Sequence, residues 1–131
     1  MRPLLLDTCA VLWLADGELA RFAPETVQAL REAEILYMSP VSEWEIAWKW
    51  ANGGIELPVP PREMTARFVK RLGVKLIPFS EEVAFRAAEL PRHHRDPADR
   101  FIIATALIGN LPVVTADRRF AQYGVEVLKC A

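Results

Sequence analysis

The sequence predicts a three-layer α/β/α domain built on a mainly parallel, five-stranded sheet. Three observations carry that expectation. Short, unbroken apolar runs recur along the chain, and segments of helical character separate them. Twice a capping side chain followed by proline, Ser39-Pro40 and Asp96-Pro97, opens one of those helical segments. Strands that alternate with helices, and that lack polar alternation, are buried on both faces by helical layers.

Taken in order, Leu4-Leu5-Leu6 reads as a buried strand, with a helix from Thr8 to Ala15 directly behind it. Pro24 suits the first turn of a helix reaching about Ala33, and Ile35 to Met38 is the second strand. Ser39 then caps a helix that ends near Asn52-Gly53-Gly54. Pro58, Pro60 and Pro61 mark a turn before a helix from about Arg62 to Leu72. Val74 to Ile77 is the third strand, and Ser80-Glu81-Glu82 starts a helix that stops at Pro91. Asp96 caps an apolar helix, Ala98 to Ile108. Leu111 to Thr115 is the fourth strand, Arg118 to Tyr123 a short helix, and Val125 to Leu128 the fifth strand.

The 131 residues match the usual size of one domain, so residues 1–131 are expected to form a single unit. At 52% hydrophobic residues the chain can fill a core without disulfides or a structural metal. Cys9 and Cys130 are too few for a disulfide framework and read as reduced thiols of a cytoplasmic protein. The apolar start breaks at Asp7, and no run is long enough to span a membrane, so the expectation is a soluble protein with no membrane association. A formal net charge of −1 does not by itself suggest a nucleic-acid binder. If four of the 17 acids serve a metal site, the remaining 13 face 16 Lys and Arg, which makes the cation-loaded protein mildly basic.

Four acids stand out. Asp7 follows the first strand and Asp117 lies just past the fourth, so both fall at the strand ends where open parallel sheets bind ligands. Each is equally readable as the N-cap of the next helix. Glu45 shares a helical face with Val41, Trp44 and Trp48, where it would lose solvation unless paired or metal-bound. A salt bridge to Lys49 is the plain alternative. Asp99 sits three residues after the Asp96 cap, so it either closes a capping box or opens toward the sheet rim. Four carboxylates in one cleft would repel one another, and a divalent cation removes the conflict. Oxygen ligands alone point to Mg2+, with Mn2+ as a possible substitute. Such a site can hydrolyse phosphodiesters.

Leu5-Leu6-Asp7-Thr8, Ser39 to Lys49, His94 to Arg100 with the apolar helix that follows, and Val114-Thr115-Ala116-Asp117 with Phe120 together resemble the PIN-domain nucleases of the VapC toxin group. That resemblance implies a PIN-like fold and a Mg2+-dependent ribonuclease. It implies that Asp7, Glu45, Asp99 and Asp117 are catalytic and metal-binding, Asp7 and Asp99 most directly. It further implies that Thr115 orients a bound water or phosphate through its hydroxyl, while Asp96 remains the helix cap. An RNA substrate, a cognate antitoxin and a homodimer follow from the same resemblance. A housekeeping RNA-processing nuclease and a non-catalytic binding module stay open. A phosphatase with an aspartyl nucleophile is disfavoured, because the position two residues after Asp7 is Cys9.

Two further features are expected to lie outside the chemistry. His93 and His94, between Arg92 and Arg95, read as a solvated loop. Trp44, Trp48 and Trp50 read as core or partner groove rather than base-stacking residues. One helix does not easily bury three tryptophans against one sheet, so Trp50 is expected to stay open and to line a groove for an antitoxin helix or a second copy of the chain, the alternative being that the helix from Arg62 to Leu72 folds over it and completes an ordinary core.

Overall fold

A computed structural model, described over residues 2–131, places five parallel strands in the order β3-β2-β1-β4-β5. They are β1 (Pro3–Leu6), β2 (Ile35–Met38), β3 (Lys75–Leu76), β4 (Val113–Thr115) and β5 (Val127–Lys129). Six α-helices cover them: α1 (Thr8–Ala15), α2 (Pro24–Glu32), α3 (Pro40–Ala51), α4 (Pro61–Leu72), α5 (Glu81–Glu89) and α6 (Pro97–Gly109). The sheet and its two helical layers are the expected architecture.

The period-2 geometry of β1 divides the core. Leu5 packs with Ile102, Ile103, Val83 and Phe120 on the side of α5 and α6. Leu4 and Leu6 pack on the other side with Val11, Ile46 and Phe68 from α1, α3 and α4. Register is set at the centre, where Leu6 pairs with both Met38 and Val114.

Strand ends depart from expectation for local reasons. Pro112 has no N–H to donate, so β4 begins at Val113 and the Pro112 carbonyl accepts from Leu5 N (2.9 Å). Gly124, at φ +82°, turns the chain so that Val125 drops into the core and β5 starts two residues later. A short 3-10 turn, Leu19–Arg21, carried no signal in the sequence. Arg118–Tyr123 is likewise 3-10 rather than α. No helix among the described residues is long and apolar enough to cross a membrane.

The largest correction concerns α3. Its inward face is set by Ser42 and Ile46, both fully buried, with Val41 and Glu45 beside them. Trp44 and Trp48 lie two residues further on, turned by about 200°. They do not pack around Glu45 against the sheet. They stack on each other in solvent (centroids 5.8 Å apart, planes at 20°) and are 57% and 58% exposed. Trp50 is 43% exposed, so it is open as expected, but it is the least exposed of the three.

Candidate active site

The strand order reverses at β1, with β2 and β3 to one side and β4 and β5 to the other. A crevice opens where such a sheet reverses, at the carboxyl ends of the strands. Asp7 leaves β1 there, and Asp117 follows β4 by two residues. Helices α3 and α6 bring Glu45 and Asp99 to the same place. All four carboxylates line one cleft of about 360 Å3, with Lys49 and Cys9 at its wall.

Asp7 is both cap and cleft residue. Its Oδ1 accepts from Thr8 N (2.8 Å), while Oδ2 accepts from the Thr115 hydroxyl (2.6 Å). Burial pushes the Asp7 carboxyl above the ordinary range, against the pull of those two hydrogen bonds. Burial and the neighbouring Asp7 carboxylate likewise push the Cys9 thiol up to about 12, so Cys9 is an inert neighbour rather than a nucleophile.

Thr115 stands behind the cleft, buried at the tip of β4. Its hydroxyl donates to Asp7 and accepts from Asp117 N (3.0 Å). The group expected to face a water or phosphate is therefore engaged with two of the acidic residues.

Glu45 is carried inward because α3 is pinned to α1 one turn earlier. There the Thr8 hydroxyl donates to Ser42 Oγ (2.9 Å), and Ser39 caps the helix by accepting from Val41 N (3.0 Å). The plain alternative for Glu45 is partly realised, since Oε2 lies 3.2 Å from Lys49 Nζ. The other oxygen, Oε1, is buried and has no hydrogen-bond partner.

Asp99 does not close a capping box. Asp96 caps α6 through Oδ1, which accepts from Ala98 N (2.9 Å), but the Asp96 N–H points to His94 Nδ1 (3.2 Å) instead of to Asp99. Burial, then the nearby carboxylates of Asp7, Asp96, Glu45 and Asp117, push Asp99 up to about 8. Asp117 is opposite in sense. Burial raises it, but hydrogen bonds from the Arg119 side chain and backbone and from His94 outweigh that and hold it at about 2.

His94 is the residue that sequence reasoning misplaced. His93 is exposed as expected, its ring edge-on to Tyr123. His94 is only 3% exposed, with Nε2 2.7 Å from Asp117 Oδ2 and 2.9 Å from Asp99 Oδ2. Two arginines and a histidine around it read as a charged loop. The usable signal was its position two residues before a helix cap, where a ring nitrogen can reach the cap's own amide.

The residues present fit a divalent cation. An orphaned, buried carboxylate oxygen at Glu45 and a carboxyl at Asp99 raised by burial and by its like-charged neighbours are both relieved by positive charge in the cleft. The donor set is oxygen-rich, which suits Mg2+ or Mn2+ better than a softer metal.

Comparison with known proteins identifies the fold and the family. The sequence pattern of the PIN domain family matches residues 4–126. Ribonuclease VapC22 of Mycobacterium tuberculosis is 31% identical over 124 residues, covering 94% of this chain and 93% of that protein. Among solved structures, VapBC2 from Rickettsia felis bound to a promoter DNA fragment shares the fold over 100% of both chains, with a TM-score of 0.72 at 14% identity. FitAcB from Neisseria gonorrhoeae covers 98% of this chain and 97% of its own at 25% identity, with a TM-score of 0.60. With fold and sequence in agreement over nearly its whole length, the chain belongs to the PIN-domain family, in its VapC group.

Proposed function

We propose that this protein is a divalent-cation-dependent ribonuclease, using Mg2+ or in its place Mn2+, and that it is the toxin of a toxin–antitoxin pair. The observation that carries the reading is the convergence of Asp7, Glu45, Asp99 and Asp117 on one cleft at the reversal point of the sheet. The relative named a ribonuclease, and the fold shared with VapBC2, support it.

Asp7 and Asp99 would hold the cation most directly, with Glu45 and Asp117 completing its surroundings. When bound, the cation supplies an activated water and neutralises charge on the phosphate. The rest falls to the chain. Thr115 fixes the Asp7 carboxylate by its hydroxyl, so that Asp7 does not reorganise as substrate enters. Lys49, exposed at the cleft wall beside Glu45, offers a positive charge to an incoming RNA backbone. The raised Asp99 carboxyl must lose its proton for the full acidic set to act together.

A protein partner is part of the proposal. The exposed tryptophans of α3 form an aromatic surface unusual for a lone chain and suited to an antitoxin helix or to a second copy in a homodimer. Light scattering of the purified chain, with Trp50→Ser as the comparison, separates the homodimer from a monomer that awaits its antitoxin.

The nuclease test is cleavage of RNA by pure protein with Mg2+, with chelator, and as Asp7→Asn. The expected result is cleavage that needs the cation and falls at least 100-fold in a folded Asp7→Asn variant. Full activity of that variant would sink the site.

A further inference from the structure

The Asp96-x-x-Asp99 spacing at the start of α6 is that of a capping box, in which the Asp99 carboxylate would fold back onto the Asp96 N–H. His94 prevents this. Its Nδ1 occupies that N–H (3.2 Å), and because an amide can only donate, Nδ1 is the unprotonated nitrogen of the ring. The hydrogen-bond network thereby places the ring proton on Nε2, which points at Asp117 Oδ2 (2.7 Å) and Asp99 Oδ2 (2.9 Å). A nitrogen that carries its proton toward two carboxylates is a donor and not a metal ligand.

The ring cannot easily turn away. The His94 N–H donates to Tyr123 Oη (2.8 Å), and the His94 carbonyl accepts from Arg100 Nη1 (3.0 Å). Arg100 also grips the carbonyls of Ala87, Leu90 and Pro91 at 2.7 to 3.1 Å, so its guanidinium fastens the whole segment ahead of α6. The ring packs edge-on to buried Phe120, and the side chain is 2% exposed.

We propose that His94 is a positioning residue of the acidic site: it takes the capping-box amide from Asp99 and, through Nε2–H, holds the carboxylates of Asp99 and Asp117 facing the cleft. The proposal rests on the reading of that cleft as a cation site. Partners of this kind, which act on a metal site through its ligands, are typically worth about 10- to 100-fold in metal affinity or activity.

The test is Mn2+ titration calorimetry on the wild type, His94→Leu and His94→Gln, with RNA cleavage and thermal melting alongside. His94→Leu is expected to bind Mn2+ at least 10-fold more weakly and to cleave correspondingly more slowly. His94→Gln can place an amide N–H near the position of Nε2–H and is expected to recover most of both. Electron paramagnetic resonance of the Mn2+-loaded wild type is expected to show no coupling to an imidazole nitrogen. A folded His94→Leu that binds Mn2+ as the wild type does would overturn the inference alone, as would nitrogen coupling to the bound ion. If His94→Leu does not fold, His94→Gln decides: near-wild-type affinity supports the role, and a loss beyond 10-fold overturns it. A wild type that binds no Mn2+ would instead strike at the cation site itself, and the role of His94 would fall with it.

Discussion

The two walls of the acidic cleft are held in different ways. On one wall, Asp7 and Thr115 stand at the tips of neighbouring strands, and the Asp7 N–H donates to the Val114 carbonyl (3.0 Å), continuing the sheet's own ladder. The register Leu6↔Val114 therefore brings the two residues side by side, and the Thr115 hydroxyl donates directly to Asp7 Oδ2 (2.6 Å). On the other wall, Asp99 and Asp117 come from a helix start and a turn, and no ladder joins them. Their placement depends on side chains, with His94 between them and Arg100 fastening the segment that carries His94. Backbone geometry makes the first wall, and a polar network makes the second. Such a network is sensitive to the loss of any one member.

The largest effect should come from Arg100. Replacing it with Leu removes five hydrogen bonds to four backbone carbonyls, so a loss of about 3 kcal/mol is expected by chemical denaturation, with cleavage abolished. Arg100→Lys should recover little, because an ammonium cannot reproduce the planar fork. Wild-type stability in Arg100→Leu would show that the second wall does not need its clamp.

The pH dependence of stability should report on the second wall, whose two acids are shifted in opposite senses. Asp99, raised to about 8, keeps a proton in the folded metal-free chain that the unfolded chain gives up near its ordinary value of about 4. The folded state then binds more protons, so stability falls as pH rises from about 4 to about 8. Asp117, held at about 2, contributes stability that is present above about 4 and lost as pH falls toward 2. Asp99→Asn should flatten the upper slope, which denaturation at a series of pH values measures. An unchanged slope would mean that Asp99 is not the group under strain.

On the first wall, Thr115→Val should cost about 1 kcal/mol, since a buried hydroxyl that donates to Asp7 and accepts from Asp117 N is lost while the shape is kept. No measurable cost would mean that the strand tips alone hold Asp7. The smallest effect belongs to Arg119, whose exposed side chain pairs with Asp117 (3.0 Å). Arg119→Ala should raise the Asp117 carboxyl from about 2, as followed by carboxyl NMR titration, with only a small loss of stability at neutral pH. An unmoved Asp117 would assign its depression to His94 and the backbone.

The same contrast explains what the sequence made legible. Short apolar runs and capping residues located the strands and helices, because burial and cap chemistry are local signals, although β3 keeps only Lys75 and Leu76 of the expected Val74 to Ile77 and both are exposed at the sheet edge. The ends of α1 and β2 were read directly, from Thr8 to Ala15 and from Ile35 to Met38. Asp7 and Asp117 were found through their strands, and Glu45 through its conflict with burial, although the tryptophans blamed for that conflict face solvent. His94 was not legible. Its burial depends on Arg100, Tyr123 and Phe120 arriving from elsewhere in the chain, and its neighbours Arg92, His93 and Arg95 are exposed. The hydroxyl of Thr115 was likewise read as open, because its partner Asp7 is 108 residues away.

The central claim is that the two walls together make one divalent-cation site, and calorimetric melting across a Mg2+ and Mn2+ series tests it most directly. A cation that binds only the native state stabilises it by about 2.7 kcal/mol at 100 times its Kd. For a chain of this size the melting temperature should then rise by about 10 °C. The rise should shrink in Asp7→Asn and in Asp99→Asn, one substitution from each wall. A wild-type melting temperature indifferent to both cations would contradict the account.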